Sequence, residues 1–60
     1  MDLKQLRDYA RTCIADRPEL RDEIVGLYQL CLDEIEEGGS RQHEIDLCHS
    51  DIEELMERDA

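Results

Sequence analysis

The sequence contains no Phe and no Trp, and only two Tyr among its 60 residues. A hydrophobic core built from this chain must therefore be mainly aliphatic. A domain of this size buries only about 60% of the surface of its unfolded chain, so its stability is marginal. Small domains often add a disulfide, a metal or a partner subunit for this reason. The 60 residues predict a single small domain with dimerisation as an open alternative.

The sequence also lacks paired cysteine motifs and long apolar runs. The three cysteines form neither a Cys-x-x-Cys nor a Cys-x-Cys pair, which favours reduced thiols in a cytosol-like compartment. The first residues, MDLKQLRDYA, do not resemble a signal peptide. No window approaches the ~20 apolar residues that span a bilayer. We therefore expect a soluble, cytoplasmic protein with no membrane association.

Positive charge is scarce, because 17 acidic residues face 7 basic ones and the net charge is −10. The imbalance is uneven: residues 1–21 carry a net charge of +1, and residues 22–60 a net charge of −11. A field of this sign repels nucleic acid and anionic membranes. It predicts no direct nucleic-acid binding, and a protein partner with a basic surface.

Apolar residues recur with helical periodicity in three segments, which predicts an all-α protein. The first segment, about residues 2–15, places Leu3, Leu6, Ala10 and Cys13 on one face. The step from Arg17 to Pro18 ends it, since the residue before proline avoids the α region.

The second helix is predicted at about residues 18–37, and it is the central element of the fold. Asp16 and Glu19 have the spacing of a capping box, and Gly38 with Gly39 marks the end of the helix. Its apolar residues cover an arc of about 160° at 100° per residue, which is too wide for one neighbouring helix. This arc contains Leu20, Ile24, Val25, Leu27, Tyr28, Cys31, Leu32 and Ile35.

The third helix is predicted at about residues 41–58, with Ser40 as its N-cap. Short connections between helices favour antiparallel neighbours, so we predict an up-down-up three-helix bundle. The antiparallel register places Cys31 opposite Cys48 and Leu27 opposite Ile52. The alternative is a hairpin of the second and third helices that dimerises into a four-helix core, with the first helix packed outside or swapped.

Two stretches invite a metal-binding interpretation, and neither supports it well. The residues Asp33–Glu44 partly resemble the calcium loop of an EF-hand, but the third position is Ile35 where that loop has an oxygen ligand. Cys13, Cys31 and Cys48 fall one to each helix, and buried cysteine usually packs as a small hydrophobic residue. No cofactor and no specific metal site are predicted, although a weak divalent-metal-binding module remains an alternative.

Acidic residues crowd the last turns of the second and third helices, where the helix dipole disfavours them. We predict a partner-binding surface there, extended by two leucines that lie outside the apolar stripes: Asp33, Glu34, Glu36, Glu37, Glu53, Glu54, Glu57, Leu30 and Leu47. Asp59 belongs to the same acidic run. The sequence has no motif for catalysis, so we expect a non-enzymatic interaction module. An alternative is an inhibitor that imitates nucleic acid to block a basic DNA- or RNA-binding protein.

Overall fold

The computed structural model describes residues 1–58, and within them the chain forms three α-helices and one short 3-10 turn. The helices are α1 (Leu3–Asp16), α2 (Arg21–Glu36) and α3 (Arg41–Arg58), and the 3-10 turn is Pro18–Leu20. Each helix contacts the other two, in a body of 33 × 16 × 15 Å. The prediction of an all-α three-helix bundle is confirmed.

The capping box of this fold lies at the start of α1. The Asp2 carboxylate accepts a hydrogen bond from the backbone N–H of Gln5, and the Gln5 side chain accepts one from the backbone N–H of Asp2, both at 2.8 Å. The box predicted at Asp16 and Glu19 is wrong, because Asp16 is the last residue of α1. Glu19 instead pairs with the guanidinium of Arg17 at 3.1 Å.

The connection between α1 and α2 differs from the predicted one, because α2 begins only at Arg21. Arg17 lies outside the α region, as expected before proline, with φ −131° and ψ 75°. The predicted single helix from residue 18 is then divided, because the Leu20 N–H bonds to the Arg17 carbonyl at 3.0 Å in a 3-10 turn. Leu20 is only 5% exposed, so this turn brings its side chain into the core.

Two glycines end α2, as predicted. Gly38 has φ +102°, a conformation that side-chain-bearing residues rarely adopt, and its N–H bonds to the Ile35 carbonyl at 3.1 Å. Gly39 lies so close to α2 that a Cβ there would be 2.9 Å from the Glu34 carbonyl oxygen. The Ser40 carbonyl then accepts the Glu44 N–H at 2.9 Å, which begins α3.

One core runs between all three helices. Leu6 of α1, Ile24 of α2 and Ile52 of α3 are each 0% exposed. The buried residues of this core are Leu6, Ala10, Cys13, Leu20, Ile24, Cys31, Ile45, Cys48, Ile52 and Leu55. Leu27, Tyr28 and Ile35 pack against it, but Val25 is 45% exposed, so its predicted place in the apolar stripe is wrong. Leu6, Ala10 and Cys13 of α1 lie in this core, so α1 packs against both other helices of the same chain.

Candidate functional site

A groove runs between α2 and α3, and its lining residues within 1–58 belong to these two helices. It consists of two adjoining depressions of about 510 and 280 Å³. Both are lined by Leu27, Leu30 and Asp51, so they form one continuous feature. It extends along α2 from Glu23 to Glu34, which is about 16 Å at 1.5 Å per residue. We call this feature the acidic groove.

The floor of the acidic groove is apolar. It is formed by Leu27, Leu30, Cys31, Leu47, Cys48 and Leu55. The two cysteines and Leu55 are buried, whereas Leu30 is 55% exposed and Leu47 is 48% exposed. Two large aliphatic side chains, one on each helix, are therefore exposed to solvent within the same depression.

The rim of the groove is acidic. Its carboxylates are Glu23 and Glu34 on α2, and Glu44, Asp51 and Glu54 on α3, with Arg58 as the basic lining residue. The ion pairs found among residues 1–58 lie elsewhere, at Arg17–Glu19, Arg21–Asp22 and His49–Glu53. Carboxylates collected around an apolar depression give it a negative potential. The groove thus combines exposed apolar surface with one sign of charge.

The structure separates the predicted binding residues into two sets. Leu30, Leu47, Glu34 and Glu54 line the acidic groove. Asp33, Glu36, Glu37, Glu53 and Glu57 do not line it.

The second set faces other parts of the surface. The Asp33 carboxylate accepts a hydrogen bond from the Gln29 side chain at 3.1 Å, within α2. Glu53 pairs with His49, and both Glu53 and Glu57 act electrostatically on Tyr9 of α1. Asp59 lies outside the described residues.

Sequence reasoning overlooked Glu23, Glu44 and Asp51 as parts of the same surface. A signal for them exists, because residues seven apart lie on the same side of a helix. Glu44 and Asp51 have this spacing, as do Leu47 and Glu54 on α3. On α2, Glu23 is seven residues before Leu30. Only the relative position of α2 and α3 shows that these residues of the two helices face one groove.

Cys31 and Cys48 meet at the floor, in the layer that the antiparallel register predicted. Neither cysteine is in a disulfide, and the Cys48 thiol donates to the carbonyl of Leu27 at 3.5 Å. Burial raises the pKa of Cys31, and burial together with the charges of Cys31 and Asp51 raises the pKa of Cys48 to about 12. Neutral thiols are poor nucleophiles, so this pair acts as apolar packing. Cys13 is separate and adjoins Tyr9 on α1.

The opposite side of α3 packs against α1 through aromatic rings. The Tyr9 and His49 rings lie 4.6 Å apart, centroid to centroid, at an angle of 52°. Nδ1 of His49 is 3.4 Å from a carboxylate oxygen of Glu53. Partial burial, a hydrogen bond with Cys13 and the nearby carboxylates raise the pKa of Tyr9 to about 12. This cluster joins two helices.

A second groove, between α1 and α2, has the opposite charge. Its basic lining residues are Lys4, Arg7, Arg11 and Arg21, arranged around Val25 and Tyr28. This groove and the acidic groove therefore differ in electrostatic character, although they share α2. The net charge of −10 does not show that acidic and basic residues line different grooves.

Among residues 1–58, no group of three or more His, Cys, Asp or Glu side chains is arranged to hold a metal ion. Within the same residues, no helix has both the length and the apolar character needed to cross a bilayer.

Comparison with known proteins adds no assignment to this geometry. The chain matches no family model, and it has no significant match among curated proteins or solved structures.

Proposed function

We propose that this protein is a non-enzymatic interaction module that binds the basic surface of a partner protein through the acidic groove. The observation that carries the proposal is the exposure of Leu30 and Leu47 within one depression that has an acidic rim. Scattered exposed leucines are common on protein surfaces, but exposed apolar residues grouped within a polar rim are typical of binding sites.

The charges of the rim give the proposal its direction. Five carboxylates and one guanidinium line the groove, so an approaching surface rich in Lys and Arg gains favourable electrostatic energy. An acidic surface is repelled. The apolar floor supplies the area whose removal from water stabilises a complex once it has formed. The rim charges thus favour basic partners over acidic ones, and burial of the two leucines stabilises the complex.

Affinity capture from an extract of the source cell tests this proposal with three versions of the protein. The first is the wild type, and the second carries Leu30→Ser and Leu47→Ser. The third carries Val25→Ser, which removes a comparably exposed apolar side chain (45%) from the opposite side of α2. We expect the wild type and Val25→Ser to retain a basic protein that the double variant loses. Raising the salt from about 50 to about 500 mM should release it, because salt screens exposed charges.

Identical capture by all three versions would contradict the assignment to the groove, and so would an acidic partner or binding that ignores salt. Adding duplex DNA to the captured complex provides a further discrimination. Release of the partner by DNA would identify a nucleic-acid-binding surface as the target, which is the narrower function of a nucleic-acid mimic. Retention in the presence of DNA would leave an ordinary basic protein surface as the target.

A further inference from the structure

We infer that the partner supplies one amphipathic α-helix with basic flanks, which lies along the acidic groove as a fourth helix and approaches the bundle most closely at Gly26. This inference rests on the proposed function, since it concerns the same surface. It adds the secondary structure, the chemistry and the closest contact of the bound segment.

A helix fits this groove better than an extended strand does. The groove lies between two α-helices, whose backbone N–H and C=O groups bond within each helix. It therefore offers no free edge to which a strand could add. A helix satisfies its own backbone and presents only side chains to the floor. Packing against two neighbouring helices at once is also the arrangement that completes a four-helix bundle.

Gly26 indicates where the docked helix comes closest. It lies in the middle of α2 and lines the groove, and a Cβ at this position would meet nothing within 4 Å. The free protein therefore has no steric need for glycine there, although glycine in a helix interior costs about 1 kcal/mol relative to alanine. Glycine allows another backbone to approach closely. A partner helix that crosses α2 at Gly26 would account for the residue.

The lining of the groove defines the chemistry of its occupant. The exposed side chains of Leu30 and Leu47 require an apolar stripe on the docked helix. The carboxylates of the rim require Lys or Arg on both sides of that stripe. A groove about 16 Å long accommodates about three helical turns.

A second copy of this chain is a poorer occupant. Two copies that met groove to groove would bring ten rim carboxylates together with only two guanidiniums. Such like-charge contact opposes association. Groove-to-groove association of two copies is therefore disfavoured, and the occupant of this inference is a basic segment of a different protein.

The test uses three synthetic peptides of 18 residues and the isotope-labelled 60-residue protein. The first peptide is a helix with a leucine stripe flanked by Lys and Arg. The second has the same composition in a scrambled order without a stripe, and the third has the stripe flanked by Glu. Amide chemical shifts report the binding site, and circular dichroism reports the helicity of each peptide.

We expect the first peptide to shift the amides of Gly26, Leu30 and Leu47 while leaving Arg7 and Arg11 on the basic side unchanged. Its helicity should rise on binding. The scrambled peptide should bind about tenfold more weakly, and the acidic peptide should not bind, because one lacks the stripe and the other the complementary charge.

Gly26→Ala gives the sharpest readout, because its effects on stability and on binding have opposite signs. Alanine should raise the melting temperature, since it is the better helix former and the space is open. It should also lower the affinity for the first peptide about tenfold, because the added methyl group crowds the closest contact. Gly26→Leu should weaken binding further. Gln29→Ala is the matched control on the exposed part of α2 outside the groove, and it should leave the affinity unchanged.

Each contrary outcome has a distinct meaning. Equal binding of the scrambled peptide would overturn the helix while leaving the basic partner in place. Equal binding of the acidic peptide would overturn both the inference and the proposed function. Unchanged affinity in both Gly26 variants would overturn the contact at Gly26. Groove amides that shift with protein concentration alone would identify a second copy as the occupant and overturn the inference. Affinity capture could yield a basic partner that requires Leu30 and Leu47 while none of the peptides binds. That result would overturn the inference of a helical occupant and leave the proposed function in place.

Discussion

The Sγ atom of Cys48 on α3 lies 3.5 Å from the carbonyl oxygen of Leu27 on α2. This contact crosses between the two helices beneath the acidic groove. The thiol donates its proton to a carbonyl that accepts, so the arrangement requires a neutral Cys48. Ionisation of this group and folding are therefore linked.

The stability of the protein should fall as the pH rises above about 9. The pKa of Cys48 is raised from its ordinary value of 9.0 to about 12, mainly by burial. A raised pKa in the folded state contributes stability that is complete below the pKa of the unfolded thiol and is lost as the pH rises toward the folded value. Urea unfolding at about pH 7.5, 9 and 10.5 checks this expectation. Cys48→Ala should lose less stability over the same range than the wild type, and parallel pH curves for the two proteins would contradict the linkage.

The three glycines should respond differently to alanine. Gly26→Ala should stabilise the protein by about 1 kcal/mol, which is roughly 4–8 °C in melting temperature for a domain of this size. Gly38→Ala should destabilise it by about 1–2 kcal/mol, because φ is +102°. Gly39→Ala should also destabilise it, because the new Cβ would lie 2.9 Å from the Glu34 carbonyl oxygen. Thermal unfolding measures all three variants, and a stabilised Gly38→Ala or Gly39→Ala would contradict this account of the turn.

Loss of the Leu6 side chain should unfold much of the protein. Leu6 is 0% exposed, and truncation of a buried leucine costs about 2–5 kcal/mol. The entire stability of a chain this short is expected to be about 3–9 kcal/mol. Leu6→Ala should therefore show reduced helicity or a much lower urea midpoint, whereas Lys4→Ala on the exposed side of α1 should not. Retention of a normal midpoint by Leu6→Ala would show that α2 and α3 are stable without α1.

Removal of the Asp2 cap should cost about 0.5–2 kcal/mol, because its carboxylate accepts the Gln5 N–H at 2.8 Å. Asp16 is the matched comparison, since it was predicted from sequence to cap the second helix but is the last residue of α1. A negative charge at a helix C-terminus is unfavourable, so Asp16→Ala should be neutral or slightly stabilising. Urea unfolding of the two variants compares the sites directly, and a larger loss from Asp16→Ala would reverse the assignment.

The three-helix fold was predictable because its signals are local. Leu6, Ala10 and Cys13 repeat at helical spacing, and the proline and the two consecutive glycines interrupt that repeat where the helices end. The division of the second helix by a 3-10 turn was missed, because burial of Leu20 against the other helices decides it. Val25 was misplaced for a related reason, since the apolar stripe contains more residues than the neighbouring helices cover.

The candidate site was predictable only in part. Leu30 and Leu47 stood out because they interrupt a polar surface, and both line the acidic groove. The acidic residues were chosen by their crowding along the chain, which does not report which carboxylates face the same depression. Glu23 and Asp51 are distant in sequence yet line the groove together.

The sequence by itself determined the number of helices, their approximate ends and the acidity of residues 22–60, because backbone conformation and total charge depend on local residue types. The tertiary structure decided which charges share a groove: acidic residues gather between α2 and α3, and basic ones between α1 and α2. The physical reason is that the rotation of each helix about its axis is fixed by burial of Leu6, Ile24 and Ile52 in one common core. That rotation alone determines which polar residues are left at each groove.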